Sequence, residues 1–186
     1  SEWEYGGRAG TVTTYSWGDD LNSSFANYNQ NFGQSVNVGW YVANFWGFHD
    51  LHGNVLEWTL DRYQAVYPVD SATDPTGPPS GSNRSLRGGS WDFPWADLRS
   101  ARRRHTPPDS RNHNLGFRLA FKQVPVQAPT GTTHVADLNS TVQLQMIWVS
   151  PGTFTMGSPL SETGRGTDET EHNVTLTKGF YLGKYE

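Results

Sequence analysis

The sequence contains no cysteine. That absence excludes disulfides, thiolate nucleophiles and every zinc or iron–sulfur site built on sulfur. Charge is scarce too: Asp, Glu, Lys and Arg together make up 17%, too little to cover long solvent-facing helices. No apolar run is long enough to span a bilayer. The opening Ser1-Glu2-Trp3-Glu4 has neither the basic start nor the apolar stretch of a secretory signal, so no membrane partner is expected and the compartment is not readable. What the chain does have is 20 glycines and 11 prolines, which point to turns and irregular loops over much of its length. With 8 Trp, 8 Tyr and 9 Phe in 186 residues, there is enough apolar volume for a real core.

Net charge is −4, but it is unevenly spread. Arg84, Arg87, Arg99, Arg102, Arg103, Arg104, Arg111 and Arg118 share their stretch with only Asp92, Asp97 and Asp109. Clustered arginine can neutralise phosphates, yet arginine also pairs with carboxylates and stacks on aromatic rings. We expect the internal use, and no nucleic-acid partner. An acidic loop near the other end, Glu162, Asp168, Glu169 and Glu171, is the natural counterpart.

The chain divides at 123–136, where Pro125, Pro129 and Gly131 interrupt all periodicity. Before this linker, residues 1–122 begin with a short helical stretch, Glu2 to Arg8. They continue as Gly/Asn-rich loop with extended pieces at Val55–Trp58, Leu86–Gly88, Leu98–Arg102 and Gly116–Phe121. After it, residues 137–186 read as consecutive strands. Val142–Val149 alternates and Thr153–Met156 returns after Ser150-Pro151-Gly152; Val174–Thr177 and Phe180–Tyr185 flank Lys178-Gly179. Both turns carry hairpin signatures. Loops as long as those of the first part are usually functional or ligand-stabilised.

Five motifs then agree in order and spacing: Gly53-Asn54-Val55-Leu56-Glu57-Trp58, Leu86-Arg87-Gly88-Gly89-Ser90-Trp91, Leu98-Arg99-Ser100-Ala101-Arg102, Pro108-Asp109 and Gly116-Phe117-Arg118-Leu119-Ala120. Together they resemble the sulfatase-modifying-factor family, which includes the formylglycine-generating enzymes. Glu2-Trp3-Glu4-Tyr5 with Arg8-Ala9-Gly10 looks like that family's mid-domain helix. The part 137–186 resembles the family's N-terminal portion, through Gly152-Thr153-Phe154-Thr155-Met156-Gly157-Ser158 and Phe180-Tyr181-Leu182-Gly183-Lys184-Tyr185-Glu186. The family's C-terminal part thus precedes its N-terminal part. Two arrangements fit this order: a piece of tandem domains, with neighbouring copies as partners, which we favour, or a circularly permuted single domain. The resemblance implies an α+β, C-type-lectin-like fold with short antiparallel strands, long loops and little regular structure.

It also implies where chemistry would sit. In formylglycine-generating enzymes two thiols bind Cu(I) just after the Gly-Gly-Ser-aromatic motif, and soft Cu(I) needs soft donors. Here the following run, Asp92 to Leu98, holds no sulfur, so copper is not expected. Ser90 and Trp91 match the wall of the family's pocket, and Arg99 and Arg102 match positions near its floor. A non-catalytic binding or accessory module for a peptide, protein or glycan is the preferred reading. The alternative is an oxidoreductase completed by sequence outside this chain. The resemblance further implies a structural calcium ion held by a side-chain oxygen of Asp50, the carbonyls of Gly53 and Val55, and the Glu57 carboxylate; hard oxygens suit Ca²⁺. A second, weaker calcium loop would use Asn27 and the Tyr28 carbonyl. Asparagine turns in a crowded loop are the plain alternative at both.

Other classes find little support. His49 and His52 flank Asp50, but no third ligand follows at a recognisable spacing. Ser90 lies in no nucleophile-elbow pattern, and neither Gly6-Gly7 nor Gly88-Gly89 ends in the Gly-Lys-Ser/Thr of a phosphate loop. Asp92 to Asn114, rich in Trp, Arg, Asn, His and Pro, carries good binding anchors. In diversified binding relatives of the family the same stretch varies.

Overall fold

A computed structural model describes residues 1–121, 130–139 and 141–186. The first half of the expected linker, 123–129, lies outside the described residues. Its last part is not a linker, because Thr133–Asp137 forms a strand.

Helix α1, Glu2–Arg8, carries Glu2 and Glu4 in its first turn and Arg8 in its last, signs that suit the helix dipole. It stops at Ala9, which turns left-handed at φ 47° while its N–H returns to the Tyr5 carbonyl. A helix this short is marginal alone; burial of Trp3, Glu4 and Arg8 holds it. The strands in chain order are β1 (Leu56–Arg62), β2 (Ala72–Thr73), β3 (Arg84–Arg87), β4 (Arg104–Thr106), β5 (Leu115–Phe117), β6 (Ala120–Phe121), β7 (Thr133–Asp137), β8 (Gln143–Val149), β9 (Gly152–Met156), β10 (His172–Leu176) and β11 (Phe180–Gly183). They form three small sheets, ordered β4-β3-β1-β5, β2-β10-β9 and β6-β11-β8-β7. Pairing is mostly antiparallel, but β1 runs parallel to β5 and β10 parallel to β2. The architecture is α+β with little regular structure. From Ala9 to Val55 the chain forms only an isolated bridge, Tyr15 with Gly18.

Neither expected hairpin forms. β8 pairs with β7 and β11, and β9 pairs with β10, in another sheet; β10 and β11 are likewise separated. A two-residue hairpin turn needs positive φ, and neither Gly152 nor Gly179 has it. These glycines instead make room. A Cβ on Gly152 would strike the Tyr5 hydroxyl, and one on Gly179 would strike the Trp148 ring. The strand expected at Leu98–Arg102 is also absent: a 3₁₀ turn at Trp95–Asp97 leads Leu98 into helical backbone angles instead.

The two segments share one core. Trp3, Phe48 and Leu51 pack with Ile147, Val149, Met156, Val174, Leu176, Phe180 and Leu182, and β6 of the first segment pairs with β11 of the second. Polar bonds cross the same boundary. Fully buried Glu4 accepts Arg87 Nη2 at 2.8 Å on Oε2, and Arg8 Nη2 at 3.0 Å and the Gly157 N–H at 2.9 Å on Oε1. Burial pushes this carboxyl up, but the two guanidiniums and the N–H outweigh it and leave Glu4 below its ordinary range.

Candidate functional site

Gly88 and Gly89 both take positive φ, 91° and 72°, conformations that favour glycine. They turn the chain out of β3, so that Ser90 is fully buried and Trp91 half-exposed. Ser90 Oγ donates to Asp92 Oδ1 at 2.6 Å, and Asn114 Nδ2 donates to the same carboxylate at 3.0 and 3.2 Å. Burial raises Asp92, but these two donors outweigh it and hold the carboxyl below its usual value. Ser90 thus supports a turn through Asp92. The Trp91 ring meets His113, centroids 5.4 Å apart. In the segment that leads to His113, Pro107 to Asp109 and Arg111 to His113 are exposed; His105, also exposed, stacks on Tyr63.

Arg99 and Arg102 sit in a different environment from Ser90 and Trp91. Arg99 is fully buried. Its Nη1 reaches Glu162 and Glu169 at 2.6 Å each, and its Nη2 reaches Glu169 at 2.8 Å. Arg102 Nε and Arg104 Nη2 bind Asp97 at 2.8 and 2.7 Å, and Arg103 binds Asp168. Burial raises Asp97, but Arg104 and Arg102 outweigh it and hold it below its ordinary value. Arg99 and Arg103 pair with the acidic loop, Arg102 and Arg104 pair most closely with Asp97 inside the basic segment, and Arg99 has no surface left to offer a ligand.

The expected calcium ligands come close together but not as one shell. Gly53, at φ 89°, packs so tightly on the Asn27 carbonyl that a Cβ would overlap it, and Asn54 N–H donates to that carbonyl at 2.9 Å. The Tyr28 carbonyl closes a turn with Asn31 N–H. Val55 packs its side chain against Gly116. Asn27 Oδ1 and Asp50 Oδ1 are buried oxygens without a hydrogen-bond partner, the kind of atom a hard cation takes. Glu57, however, is already engaged: Oε2 accepts Trp3 Nε1 at 2.7 Å, and Oε1 accepts Arg118 Nη2 at 2.6 Å with Nε at 3.1 Å. Among the described residues no three His, Cys, Asp or Glu side chains group to hold a metal. To join the expected shell of Asp50, the Gly53 and Val55 carbonyls and its own carboxylate, Glu57 would have to loosen its bonds to Arg118 and Trp3. His49 and His52 are engaged too. His49 Nδ1 lies 2.8 Å from the Tyr41 carbonyl, and His52 takes the Ser16 N–H on Nε2 and the Leu98 carbonyl on Nδ1.

Two cavities open elsewhere. The first, about 300 Å³, is lined by residues between Ser16 and His52, with Trp17, Phe25, Phe45 and Asp50 among them. The second, about 620 Å³, lies between residues 12–21 and 159–163, with Trp95 on its wall. Neither is lined by Ser90, Trp91, Arg99 or Arg102. Sequence reasoning missed both, because their walls come from loop without periodicity. Among the described residues no helix is long and apolar enough to cross a membrane.

Comparison with known proteins matches residues 1–123 to the family model described as a sulfatase-modifying factor enzyme 1-like domain. Over 140 residues the chain is 37% identical to the formylglycine-generating enzyme of Streptomyces coelicolor, covering 64% of this chain and 44% of that protein. Over 124 residues it is 36% identical to the serine/threonine-protein kinase Pkn1 of Chlamydia trachomatis, covering 64% of this chain and 20% of the kinase. The solved structure of Treponema denticola variable protein 1 superposes with a TM-score of 0.58 at 35% identity, over 62% of this chain and 43% of that one. The chain spans less than half the length of each of these relatives.

Proposed function

The chain belongs to the sulfatase-modifying factor enzyme 1-like family, and from that membership we propose that it works as a non-catalytic binding or accessory module. The observation that carries this reading is the missing sulfur: without a thiol after Gly88-Gly89-Ser90-Trp91 there is no soft donor for Cu(I). Ser90 and Arg99, two of the motif residues, are spent on the frame. Similar stretches occur in proteins described as a formylglycine-generating enzyme and as a serine/threonine-protein kinase, which suits a fold that is reused while its sites change. The binding face we assign is Trp91 with His113 and the exposed residues between His105 and His113, aromatic and arginine anchors for a peptide, protein or glycan.

The test is an array of peptides and glycans, with Trp91→Ala as control. Hits that the variant loses support the module. Oxygen uptake with a cysteine peptide and Cu(I), with aldehyde formed, would instead restore the oxidase completed from elsewhere.

We also propose that residues 137–186 supply the family's N-terminal portion to the same unit, in permuted order. The shared core and the Glu4–Gly157 contact support it. A protease site inserted after Gln123 tests it: the nicked halves should stay associated, whereas halves of two different copies would separate on dilution.

A further inference from the structure

From Leu21 to Phe48 the chain has no Asp, Glu, Lys or Arg. The same loop exposes five large apolar side chains: Phe32, Val38, Trp40, Val42 and Phe45 are 49% to 80% exposed. One such side chain needs no explanation, but five on one uncharged loop mark an interaction surface. Their direction is fixed from beneath. Gly39 packs on the Tyr185 ring, where a Cβ would stand 2.8 Å from Cε1, and Tyr41 is buried with its carbonyl 2.8 Å from His49 Nδ1. Val38, Trp40 and Val42 therefore alternate outward. Phe32 meets Trp40 edge-on with centroids 6.2 Å apart, and Asn54 grips the chain between them through the Val36 N–H and carbonyl at 2.8 and 3.2 Å. Val42 leads on to Phe45, and both stand on the wall of the smaller cavity. The ridge is held open before any ligand arrives, which lowers the ordering cost of binding.

The polar side chains that share this loop are neutral as well: Asn29, Gln30, Gln34, Ser35 and Asn37 are all exposed. A bilayer surface or a nucleic acid is drawn in by lysine and arginine, and the loop has neither. A charged peptide finds no counter-charge on it. A second copy brings the same side chains face to face, so that each amide must find a bond across a fixed two-fold axis or be buried without one, which is costly. A neutral sugar chain fits every feature. Its hydroxyls both donate and accept, as amides do, and its slightly positive C–H faces lie against the negative faces of aromatic rings. We propose that the ridge of Phe32, Trp40 and Phe45 binds a neutral polysaccharide, the rings stacking on sugar faces and the loop's amides taking the hydroxyls. This goes beyond the binding face at Trp91 and does not rest on it, because other residues carry it and other variants read it.

The experiment measures depletion of the whole chain from solution by cellulose, curdlan, mannan and agarose, with carboxymethyl-cellulose as the charged control. Wild type should bind at least one neutral matrix, and the binding should persist at about 0.5 M NaCl, where ionic attraction is screened. Trp40→Ala should weaken it at least about fivefold and Phe45→Ala by a smaller factor, whereas Trp40→Phe keeps a ring and should retain most of it. Because Trp40 is exposed, Trp40→Ala should leave the melting temperature unchanged, which separates lost binding from lost fold. Leu60→Ala removes an exposed apolar residue outside the ridge and should change nothing. Loss of binding with Trp91→Ala but not with Trp40→Ala would move the sugar to the other face, overturning this proposal while the binding module stands. No depletion by any neutral matrix, retention on carboxymethyl-cellulose alone, or a dimer that Trp40→Ala dissociates would each overturn it too.

Discussion

Arg99 and Glu169 stand 70 residues apart in the chain, and neither side chain has any exposed surface; they meet in a two-pronged ion pair, Nη1 to Oε2 at 2.6 Å and Nη2 to Oε1 at 2.8 Å. Breaking a buried pair by deleting one partner leaves a charge uncompensated, which typically costs about 3–5 kcal/mol. Arg99→Met should therefore lower the unfolding free energy by an amount in that range, read as a lower urea midpoint at unchanged slope, because it strands both Glu162 and Glu169. Glu162→Gln should cost far less, since Glu169 still grips the guanidinium. Arg99→Met combined with Glu169→Leu should recover much of the loss. Equal costs for Arg99→Met and Glu162→Gln would show that the buried fork does not hold the two segments together.

Gly179 offers a test of packing rather than charge. Its φ is not in the left-handed region, so alanine there meets no backbone strain. The obstacle is the Trp148 ring, and the Val149 carbonyl also lies only 2.9 Å from where an added Cβ would stand. Overfilling a packed site costs about 1–3 kcal/mol, and Gly179→Ala should lose that much in thermal or urea unfolding. In a Trp148→Phe background the same substitution should cost less, because the shorter ring leaves room. If the two costs simply add, the close approach is not what glycine serves here.

That glycine also shows where the sequence stops being legible. Lys178-Gly179 and Ser150-Pro151-Gly152 read as hairpin turns because local composition cannot distinguish a glycine needed for positive φ from one needed for a close neighbour. The neighbours, Trp148 and Tyr5, are fixed only by the tertiary fold. The helix Glu2–Arg8 and strands near 56, 86, 116, 143, 153, 172 and 180 are readable from motifs and alternation. The basic segment's internal pairing is readable from charge counts alone. Which arginine is consumed is not: the motif around Arg99 and Arg102 suggests a pocket floor, while the acid that claims Arg99 most tightly lies beyond residue 160. Asp50 is legible as an oxygen donor, but the Gly39 N–H that holds it comes from a loop with no period to announce it.

For calcium, the engagement of Glu57 by Arg118 and Trp3 makes a definite statement about metal removal. After EDTA treatment, added Ca²⁺ should leave the melting temperature within the scatter of repeats, since a ligand that binds only the folded state would raise it. A Ca²⁺-dependent rise that Asp50→Asn and Glu57→Gln both abolish would mean that Glu57 releases Arg118 to coordinate the ion, and the four-oxygen shell would stand.

His52 should make the fold acid-sensitive well above the carboxylate range. The ring is 4% exposed, and burial lowers its pKa from 6.5 to about 4. The Ser16 N–H can only donate, so Nε2 must accept it at 3.2 Å and the proton sits on Nδ1, 2.7 Å from the Leu98 carbonyl. Protonation would set an N–H against an N–H. Because the folded-state value is the lower one, the contribution is fully present above pH 6.5 and is lost as pH falls from there towards 4; it amounts to about 3 kcal/mol over the whole interval. Burial raises Asp50 and Glu186, which contribute with the opposite sign, so total stability is not the cleanest readout. His52→Gln keeps one donor and one acceptor and cannot titrate. The unfolding free energy of wild type relative to this variant should fall steadily from pH 7 to pH 4, with the His52 ring protons showing no NMR titration above pH 5. A constant difference across that range, or a midpoint near 6.5, would place His52 in contact with water and remove it from the buried link between Ser16 and Leu98.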